Sequence, residues 1–303
     1  MAATDSDEKT YNYWLVIFVT EFLVISIINA FTITAFARHR HLRKRSTFLV
    51  MNLTVADLLV GVVTGSLFMY DTYLRKNRND NGHCTWPGSI VCAIRTTFTI
   101  ASQVNLSLIS LERLHATLFP FRHCLITRCL YFKIIIASWF TSFTLAFVMR
   151  ILSSEAFHYT RASFSAVTLL VLAVCYIIII VNVQNNPHSE HHGSVHKEKK
   201  LSVTLLIVTG VSVLTILPKA IYRSIPQHIR KTWKGTSSVD ILDIVKVIHL
   251  ANSIVNPLVY AIRMREFRKA LINLVSSKRQ AAQTRQRKAE GTRDFRLQPE
   301  TNL

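Results

Sequence analysis

Seven long apolar runs constrain this chain more than any other feature of its sequence. A helix that crosses the hydrocarbon core of a bilayer needs roughly 20 mainly apolar residues. Runs of about this length recur between charged or polar stretches, approximately at Tyr13 to Ala37, Thr47 to Leu74, Gly88 to Ala116, Leu130 to Leu152, Phe164 to Val183, Glu198 to Arg223 and Val239 to Ile262. The pattern predicts an all-α membrane protein with a seven-transmembrane helix bundle over residues 13–262.

Composition and charge agree with a membrane location. The 303 residues are 50% hydrophobic and 17% charged, which is more apolar than one soluble core could bury. The net charge of +19 would also suit a nucleic-acid binder. However, the basic residues bracket the apolar runs, with five between Arg38 and Arg45 and eleven between Arg263 and Leu303. We therefore expect membrane lipid, and no nucleic acid, as a partner.

The same basic residues predict the orientation of the chain. Lys and Arg are concentrated in the loops at 38–46, 122–128 and 197–200 and in the tail, and such segments favour the cytoplasmic side. With seven spans, residues 1–12 become a short extracellular N-terminus and the C-terminus becomes cytoplasmic. The first apolar run is too long for a cleaved signal peptide, so we expect it to direct its own insertion.

The chain beyond the last span divides into two predicted segments. Over residues 263–275, Phe267, Leu271 and Leu274 stand at helical spacing among basic residues, which predicts an amphipathic juxtamembrane helix. Residues 276–303 are basic and contain few apolar side chains, so a disordered cytoplasmic tail is expected.

Nothing in the sequence predicts an enzyme. It shows no Gly-rich phosphate loop, no paired carboxylates and no nucleophile elbow, and its five cysteines are too scattered for a metal cluster. A transporter or a non-signalling scaffold is the main alternative among membrane proteins. Transporters usually repeat their span pattern in two halves, and no such repeat is visible here.

Asp57 is the most informative polar residue within the spans. A charged residue at the centre of a membrane helix costs about 2.5 to 3.5 kcal/mol on insertion scales, so this carboxylate needs partners inside the bundle. The available polar groups include Asn29, Asn105, Ser253 and Asn256. Together they could coordinate a small cation or a water cluster, or they could only join the helices by hydrogen bonds.

Two prolines and an acidic-basic pair mark places where the bundle could move. Pro218 and Pro257 each remove a backbone donor from an apolar span, which permits a kink. Arg113, in Glu112-Arg113-Leu114, ends the third span, and Glu198 opens the sixth. An Arg113–Glu198 ion pair would clamp the two helices together, and its rupture would open a cavity for a partner. Alternatively, Arg113 snorkels to the headgroups and Glu198 is a solvated charge.

These motifs resemble those of class A, rhodopsin-like G protein-coupled receptors, over nearly all of Trp14 to Leu274. The matching features are Asn29 in the first helix, Leu53 to Asp57 in the second, Glu112-Arg113-Leu114 in the third, Trp139 in the fourth, Tyr176 in the fifth, Pro218 in the sixth and Asn256-Pro257-Leu258-Val259-Tyr260 in the seventh. The short second extracellular loop without cysteine is similar to that of the melanocortin, lysophospholipid, cannabinoid and adenosine receptors.

The resemblance implies a plasma-membrane receptor that binds an extracellular small-molecule or lipid ligand and activates a heterotrimeric G protein, with arrestin as a further partner. It also implies three sets of site residues. Water and an allosteric sodium ion, the only cofactor, would be held by Asp57, Asn105, Ser253 and Asn256. The ionic lock at the G protein would consist of Glu112, Arg113 and Glu198, and the activation switch of Tyr176, Pro218, Pro257 and Tyr260.

Several positions depart from the family pattern. Ile216 occupies the place of the sixth-helix tryptophan, Ser212 replaces a phenylalanine, and the fifth span contains no proline. The usual disulfide to the second extracellular loop cannot form, because residues 153–163 contain no cysteine. Cys84 and Cys92 could form a local bridge or remain two free thiols.

Alignment on Arg113 limits the class of ligand. Arg95 falls where amine receptors carry aspartate, which disfavours a cationic amine, and Leu250 falls where opsins carry the retinal-binding lysine. Arg95, Lys246 and His249, with Lys219 and Arg223, would make the outer end of the bundle basic. This end could attract an anionic lipid, nucleotide or carboxylate, or the cations could simply snorkel to headgroups.

Overall fold

The computed structural model describes residues 2–39, 42, 47–70, 88–151, 154–185, 210–225, 229, 241–263, 267–270 and 272. No strand occurs within these ranges, which confirms the all-α class. Glu198, Cys84 and the predicted tail lie outside the described residues, and the Cys92 side chain does too. The predictions made for them, including the Cys84–Cys92 bridge, therefore stay predictions.

All seven predicted spans correspond to helices. We label them α1 (Ala2–Arg38), α2 (Thr47–Tyr70, with a π-helical segment at Val60–Thr64), α3 (Gly88–Leu118), α4 (Arg128–Ile151), α5 (Ser154–Asn185), α6 (residues 210–224) and α7 (Ile241–Arg263). A one-turn helix, Pro120–Cys124, lies between α3 and α4. Residues 267–270 are also helical, and the ring of Phe267 packs 5.1 Å from that of Phe36, between the centroids.

Five helices in the described part of the chain are long and apolar enough to cross a membrane: α1, α2, α4, α5 and α7. For α6, only residues 210–224 are described. α3 is less apolar than these five helices, because polar side chains such as Thr97, Gln103 and Asn105 lie along it. These side chains are buried, and α3 packs against α2, α4 and α5, so they face protein instead of lipid.

The beginning of α5 corrects the predicted loop over residues 153–163. The helix begins at Ser154, so this loop and the predicted start of the fifth span at Phe164 were wrong. Polar and charged residues in this stretch, including Arg161, lower its mean hydropathy, so the sequence did not predict a helix there. Two contacts stabilise it: Phe157 packs against the buried cluster of Ile100, Ala146 and Met149, and Arg161 donates a hydrogen bond to α3.

The main apolar core lies around the end of α3 that carries Arg113. It contains side chains from most helices and from the segment after α7, among them Phe36, Leu53, Leu106, Leu172, Ile216, Tyr260 and Phe267. Large apolar side chains on α4 and α5, such as Phe140 and Leu170, are by contrast exposed on the outer surface. This arrangement is the one expected when lipid surrounds the bundle.

Two glycines let α1 and α2 approach each other closely. A Cβ atom at Gly61 would lie 2.5 Å from Ser26 Oγ and 2.9 Å from the Ser26 backbone nitrogen. A Cβ atom at Gly65 would lie 2.8 Å from Cγ of Phe22. Small residues at such crossings are a common means of helix association in membranes, where van der Waals contact replaces the hydrophobic effect.

We predict that Gly61→Ala destabilises the protein by about 1 to 3 kcal/mol, because the added methyl group must push α1 away from α2. The melting temperature of the purified protein, followed by size-exclusion chromatography after heating, should fall by several degrees. Gly210→Ala is the matched control, since a Cβ atom there meets nothing within 4 Å. Equal melting of the Gly61→Ala protein and the wild type would contradict the close crossing.

Candidate functional site

The Asp57 carboxylate lies at the centre of the bundle and is fully buried. Its Oδ1 atom accepts hydrogen bonds from Ser102 Oγ on α3 at 2.7 Å and from Ser253 Oγ on α7 at 2.8 Å. Its Oδ2 atom accepts one from Asn256 Nδ2 at 2.9 Å. Three donors from two helices therefore satisfy a charge that would be costly in hydrocarbon.

The structure brings Ser253 and Asn256 to Asp57, as the resemblance implied, but it places Asn105 elsewhere. Asn105 Oδ1 accepts a hydrogen bond from Asn52 Nδ2. Ser102, which the sequence analysis did not select, takes the third position on the carboxylate. Ser102 and Asn105 are three residues apart and share one helix face, so helical spacing back from Asn105 could have identified it.

Two further contacts tie the remaining neighbours to this centre. Asn29 Nδ2 on α1 donates to the Ser253 carbonyl oxygen at 3.1 Å. Trp139 Nε1 on α4 donates to Asn52 Oδ1 at 2.9 Å. Polar contacts therefore link α1, α2, α3, α4 and α7 close to Asp57.

The Asp57 site also contains oxygen atoms with unused hydrogen-bonding capacity. Within the described residues, Asn256 Oδ1 and the Tyr260 hydroxyl are buried and have no hydrogen-bond partner. Two carboxylate oxygens, two serine hydroxyls and one free amide oxygen form a donor set that suits a hard cation. The chemistry of this set fits a sodium ion held mainly by Asp57, Ser102, Ser253 and Asn256.

At the far end of α3, Glu112 is the centre of a second polar cluster. Its Oε2 atom lies 2.6 Å from Arg113 Nε, and its Oε1 atom lies 2.9 Å from His123 Nε2. The Tyr131 hydroxyl donates to the same Oε1 atom at 3.0 Å. Arg113 is only 5% exposed, so the guanidinium is held inside the bundle by its own neighbour in the sequence. Its other predicted partner, Glu198, is outside the described residues.

The four predicted switch residues do not form one cluster. Tyr260 is fully buried, and Pro257 lies inside α7 next to Asn256. Pro218 lies within α6, and Tyr176 is 37% exposed on the surface of α5. Ile216, at the family's tryptophan position, is buried in the main core. Beside it, Thr215 Oγ1 donates to Asn252 Oδ1 at 3.2 Å, which joins α6 directly to α7.

The opposite end of the bundle is strongly basic. Arg161 Nη1 on α5 donates to Thr96 Oγ1 on α3 at 3.0 Å, and Arg95, Arg223 and Lys219 all lie within electrostatic range of one another or of Arg161. We call Arg95, Arg161, Lys219 and Arg223 the cation cluster. Arg161 was not predicted as a site residue, because the segment that carries it was expected to be a loop.

The other two predicted ligand contacts lie beside the cation cluster. Lys246 Nζ is 2.6 Å from Asp243 Oδ1 and 5.9 Å from the ring centroid of Phe18. His249 is buried and lies within electrostatic range of Lys219. The guanidinium of Arg95 itself lies over the ring of Phe68, 5.4 Å from its centroid.

Assembling the cation cluster is unfavourable by itself. Two like charges about 7 Å apart repel by roughly 2 kcal/mol at an effective dielectric constant of about 20. Within the described residues, Glu21 is the carboxylate that lies in electrostatic range of Lys219. Asp243 is a second carboxylate close to the cluster, and it is paired with Lys246 at 2.6 Å. An anion that binds among the cations would reduce the repulsion between them.

Seven helices, a buried carboxylate that joins them, and an arginine held at one end define a membrane receptor of the seven-helix class. The model of the family described as "7 transmembrane receptor (rhodopsin family)" matches residues 28–166 and 156–260. The chain therefore belongs to the rhodopsin family of receptors. It is not an enzyme, and it signals from the plasma membrane through G proteins. The family match gives no support to the transporter or scaffold alternative.

Histamine H2 receptors are similar to this chain over most of their length. The receptor of Canis lupus familiaris is 25% identical over 291 residues, which cover 83% of this chain and 76% of the relative. The receptor of Cavia porcellus is 25% identical over 293 residues, covering 84% and 77%. The human receptor is 25% identical over 278 residues, covering 79% and 73%. The predicted similarity to the melanocortin and lysophospholipid cluster stays a prediction.

Proposed function

We propose that this receptor signals by releasing Arg113 from Glu112 when a ligand occupies the opposite end of the bundle. The observation that carries this proposal is the buried cluster in which Arg113, His123 and Tyr131 all contact the Glu112 carboxylate. While these contacts persist, the Arg113 guanidinium is directed toward its own helix. Once they break, it becomes available to a G protein.

The activation is a shift between two populations of the receptor. A saturating ligand that binds the open bundle more tightly than the closed one multiplies the ratio of open to closed receptors by the ratio of the two affinities. α6 and α7 are the helices that would move, since each contains a proline within its apolar span, Pro218 and Pro257. Their shared hydrogen bond, Thr215 to Asn252, lies next to Ile216 and couples the two helices.

We predict that Glu112→Gln raises basal signalling. The neutral amide loses the ion pair with Arg113, whose Nε atom lies 2.6 Å from the Glu112 carboxylate without forming a hydrogen bond to it. Each 1.4 kcal/mol of lost ion-pair energy corresponds to a roughly 10-fold shift toward the open state. Second-messenger accumulation without ligand, corrected for surface expression, is the measurement.

Tyr131→Phe removes one neutral hydrogen bond to the same carboxylate and should raise basal signalling less than Glu112→Gln does. Arg113→Ala should abolish signalling. If Arg113→Ala, Glu112→Gln and Glu198→Ala all signal like the wild type, the proposed coupling is wrong.

A sodium ion at Asp57 would stabilise the closed receptor. When bound, the ion supplies a positive charge that Asp57, Ser102, Ser253 and the free Asn256 oxygen can neutralise and ligate. Asn105, which the resemblance placed in this set, is engaged with Asn52, so we assign it to the support of α2 against α3.

We predict that sodium raises the melting temperature of the purified receptor relative to choline at equal ionic strength. Ser102→Ala and Asp57→Asn should reduce or remove this difference, because each takes a ligand from the site. Asn105→Ala is the control, and it should lower stability without removing the sodium effect. A sodium effect that survives Asp57→Asn would refute the site.

The orientation rests on the charges near the helix ends. Basic residues 38–45 directly follow α1, and those of residues 263–269 follow α7, so both belong on the cytoplasmic side, with arrestin and anionic lipid as further partners there.

We predict that antibody labels a tag fused before Met1 on intact cells, while a tag after Leu303 requires permeabilisation. The reverse result would invert the assignment.

The ligand site belongs at the basic end, around Arg95, Lys246 and His249. The related receptors are named for histamine, whose amine is cationic, and at 25% identity that ligand does not transfer to this chain by itself. Arg95 stands where amine receptors have aspartate, and the cation cluster surrounds it. A small-molecule or lipid ligand of different charge is the better candidate.

A further inference from the structure

The cation cluster is drawn from three helices that are distant in sequence. Arg95 comes from α3, Arg161 from α5, and Lys219 and Arg223 from consecutive turns of α6. Arg161 lies within electrostatic range of Arg223 and Arg95, and Lys219 lies within range of the other three. The fold therefore concentrates four positive charges at one end of the bundle.

Arg161 and Lys219 are not arranged as snorkelling side chains. A snorkelling Arg or Lys extends to the headgroup region and leaves its charge in water. Arg161 instead donates across the bundle to Thr96 of α3, which is buried. Lys219 is likewise only partly exposed and lies near Glu21 and His249, both 8% exposed. Partial exposure at this depth is expected for side chains that line an interior site.

Two polar atoms beside Lys219 have unused hydrogen-bonding capacity. Glu21 Oε2 on α1 and His249 Nδ1 on α7 are buried and lack a hydrogen-bond partner among the described residues. Each such atom costs free energy unless a ligand or a water completes it. They extend the cluster toward α1 and α7. The Glu21 oxygen can accept a hydrogen bond, and the His249 nitrogen can donate or accept one according to its tautomer.

We propose that the cation cluster binds an oxyanion, carboxylate or phosphate, of the activating ligand, and that a hydrogen-bond donor on the same ligand reaches Glu21 and His249. This assignment rests on the proposed function, in which the ligand acts at this end of the bundle. Arg161 donates one N–H to Thr96, and the remaining N–H donors of its guanidinium match the geometry of an oxyanion. Lys219 supplies a compact charge near both the Arg161 guanidinium and the Glu21 carboxyl group.

The test uses the purified full-length receptor in phosphatidylcholine nanodiscs, with inorganic phosphate as the probe. Sodium phosphate and sodium chloride are compared at equal sodium concentration, ionic strength and pH, so that the Asp57 site is constant. Phosphate should raise the melting temperature of the wild type by roughly 2 °C or more relative to chloride.

Lys219→Met should melt at a higher temperature than the wild type in chloride, because it removes like-charge repulsion, and should lose the phosphate shift. Arg161→Gln should also lose the shift, and Arg223→Gln is the second choice if either protein does not fold. Lys133→Met, an identical change at an exposed lysine of α4, should retain the full shift.

An absent phosphate shift in the wild type, or an equal shift in Lys219→Met, Arg161→Gln and Lys133→Met, would overturn the oxyanion site. The measurement needs no G protein, so its failure leaves the Arg113 mechanism intact. Conversely, failure of the Glu112→Gln prediction would leave the phosphate result standing.

The source of the oxyanion is resolved by two compounds with the same headgroup. Glycerol 3-phosphate and 1-oleoyl lysophosphatidic acid differ in the acyl chain alone. Stabilisation by both identifies a soluble anionic ligand as sufficient, and stabilisation by the lysolipid alone identifies a lipid. Either result supports the oxyanion site. Stabilisation by neither, together with stabilisation by histamine, would return the receptor to the amine class.

Discussion

The hydrogen bonds to the Asp57 carboxylate fix the relative positions of the helices on which the rest of this receptor depends. A carboxylate buried in a membrane protein must find donors within the protein, because lipid offers none. Ser102 brings α3 to it, and Ser253 and Asn256 bring α7. Asn29 then attaches α1 to α7 through the Ser253 carbonyl. The glycines of α2 permit the final approach of α1, which no larger residue would allow.

The two ends of the bundle handle buried positive charge in different ways. At one end, Arg113 is compensated within the protein by Glu112, which His123 and Tyr131 hold in place. At the other, four cations lie together near Glu21 and near the Lys246–Asp243 ion pair. The first end is compensated by contacts within the protein, while an anion that binds at the second end would reduce the repulsion between its cations. This asymmetry gives signalling a direction, from the end where an anionic ligand binds to the end where Arg113 is released from Glu112.

The sequence predicted well what depends on apolar length and on residues with a fixed place in a helix. The positions of the seven spans and the burial of Asp57 followed from such patterns, and the contacts of Ser253 and Asn256 followed from the family resemblance. The start of α5 could not be predicted from hydropathy, because a charged residue such as Arg161 lowers the hydropathy of the segment. Its hydrogen bond to Thr96, which allows it to pack inside the bundle, is visible only in the structure. Ser102 escaped for a similar reason, since serine is common in helices and acquires its role through Asp57.

Arg161 lies about two turns after the start of α5 at Ser154, at the end of the bundle that carries the cation cluster. An anionic ligand that approaches this end meets the positive field of the cluster before it makes any contact. Its arrival is accelerated by the positive field of the cluster, so the association rate should fall as salt is added.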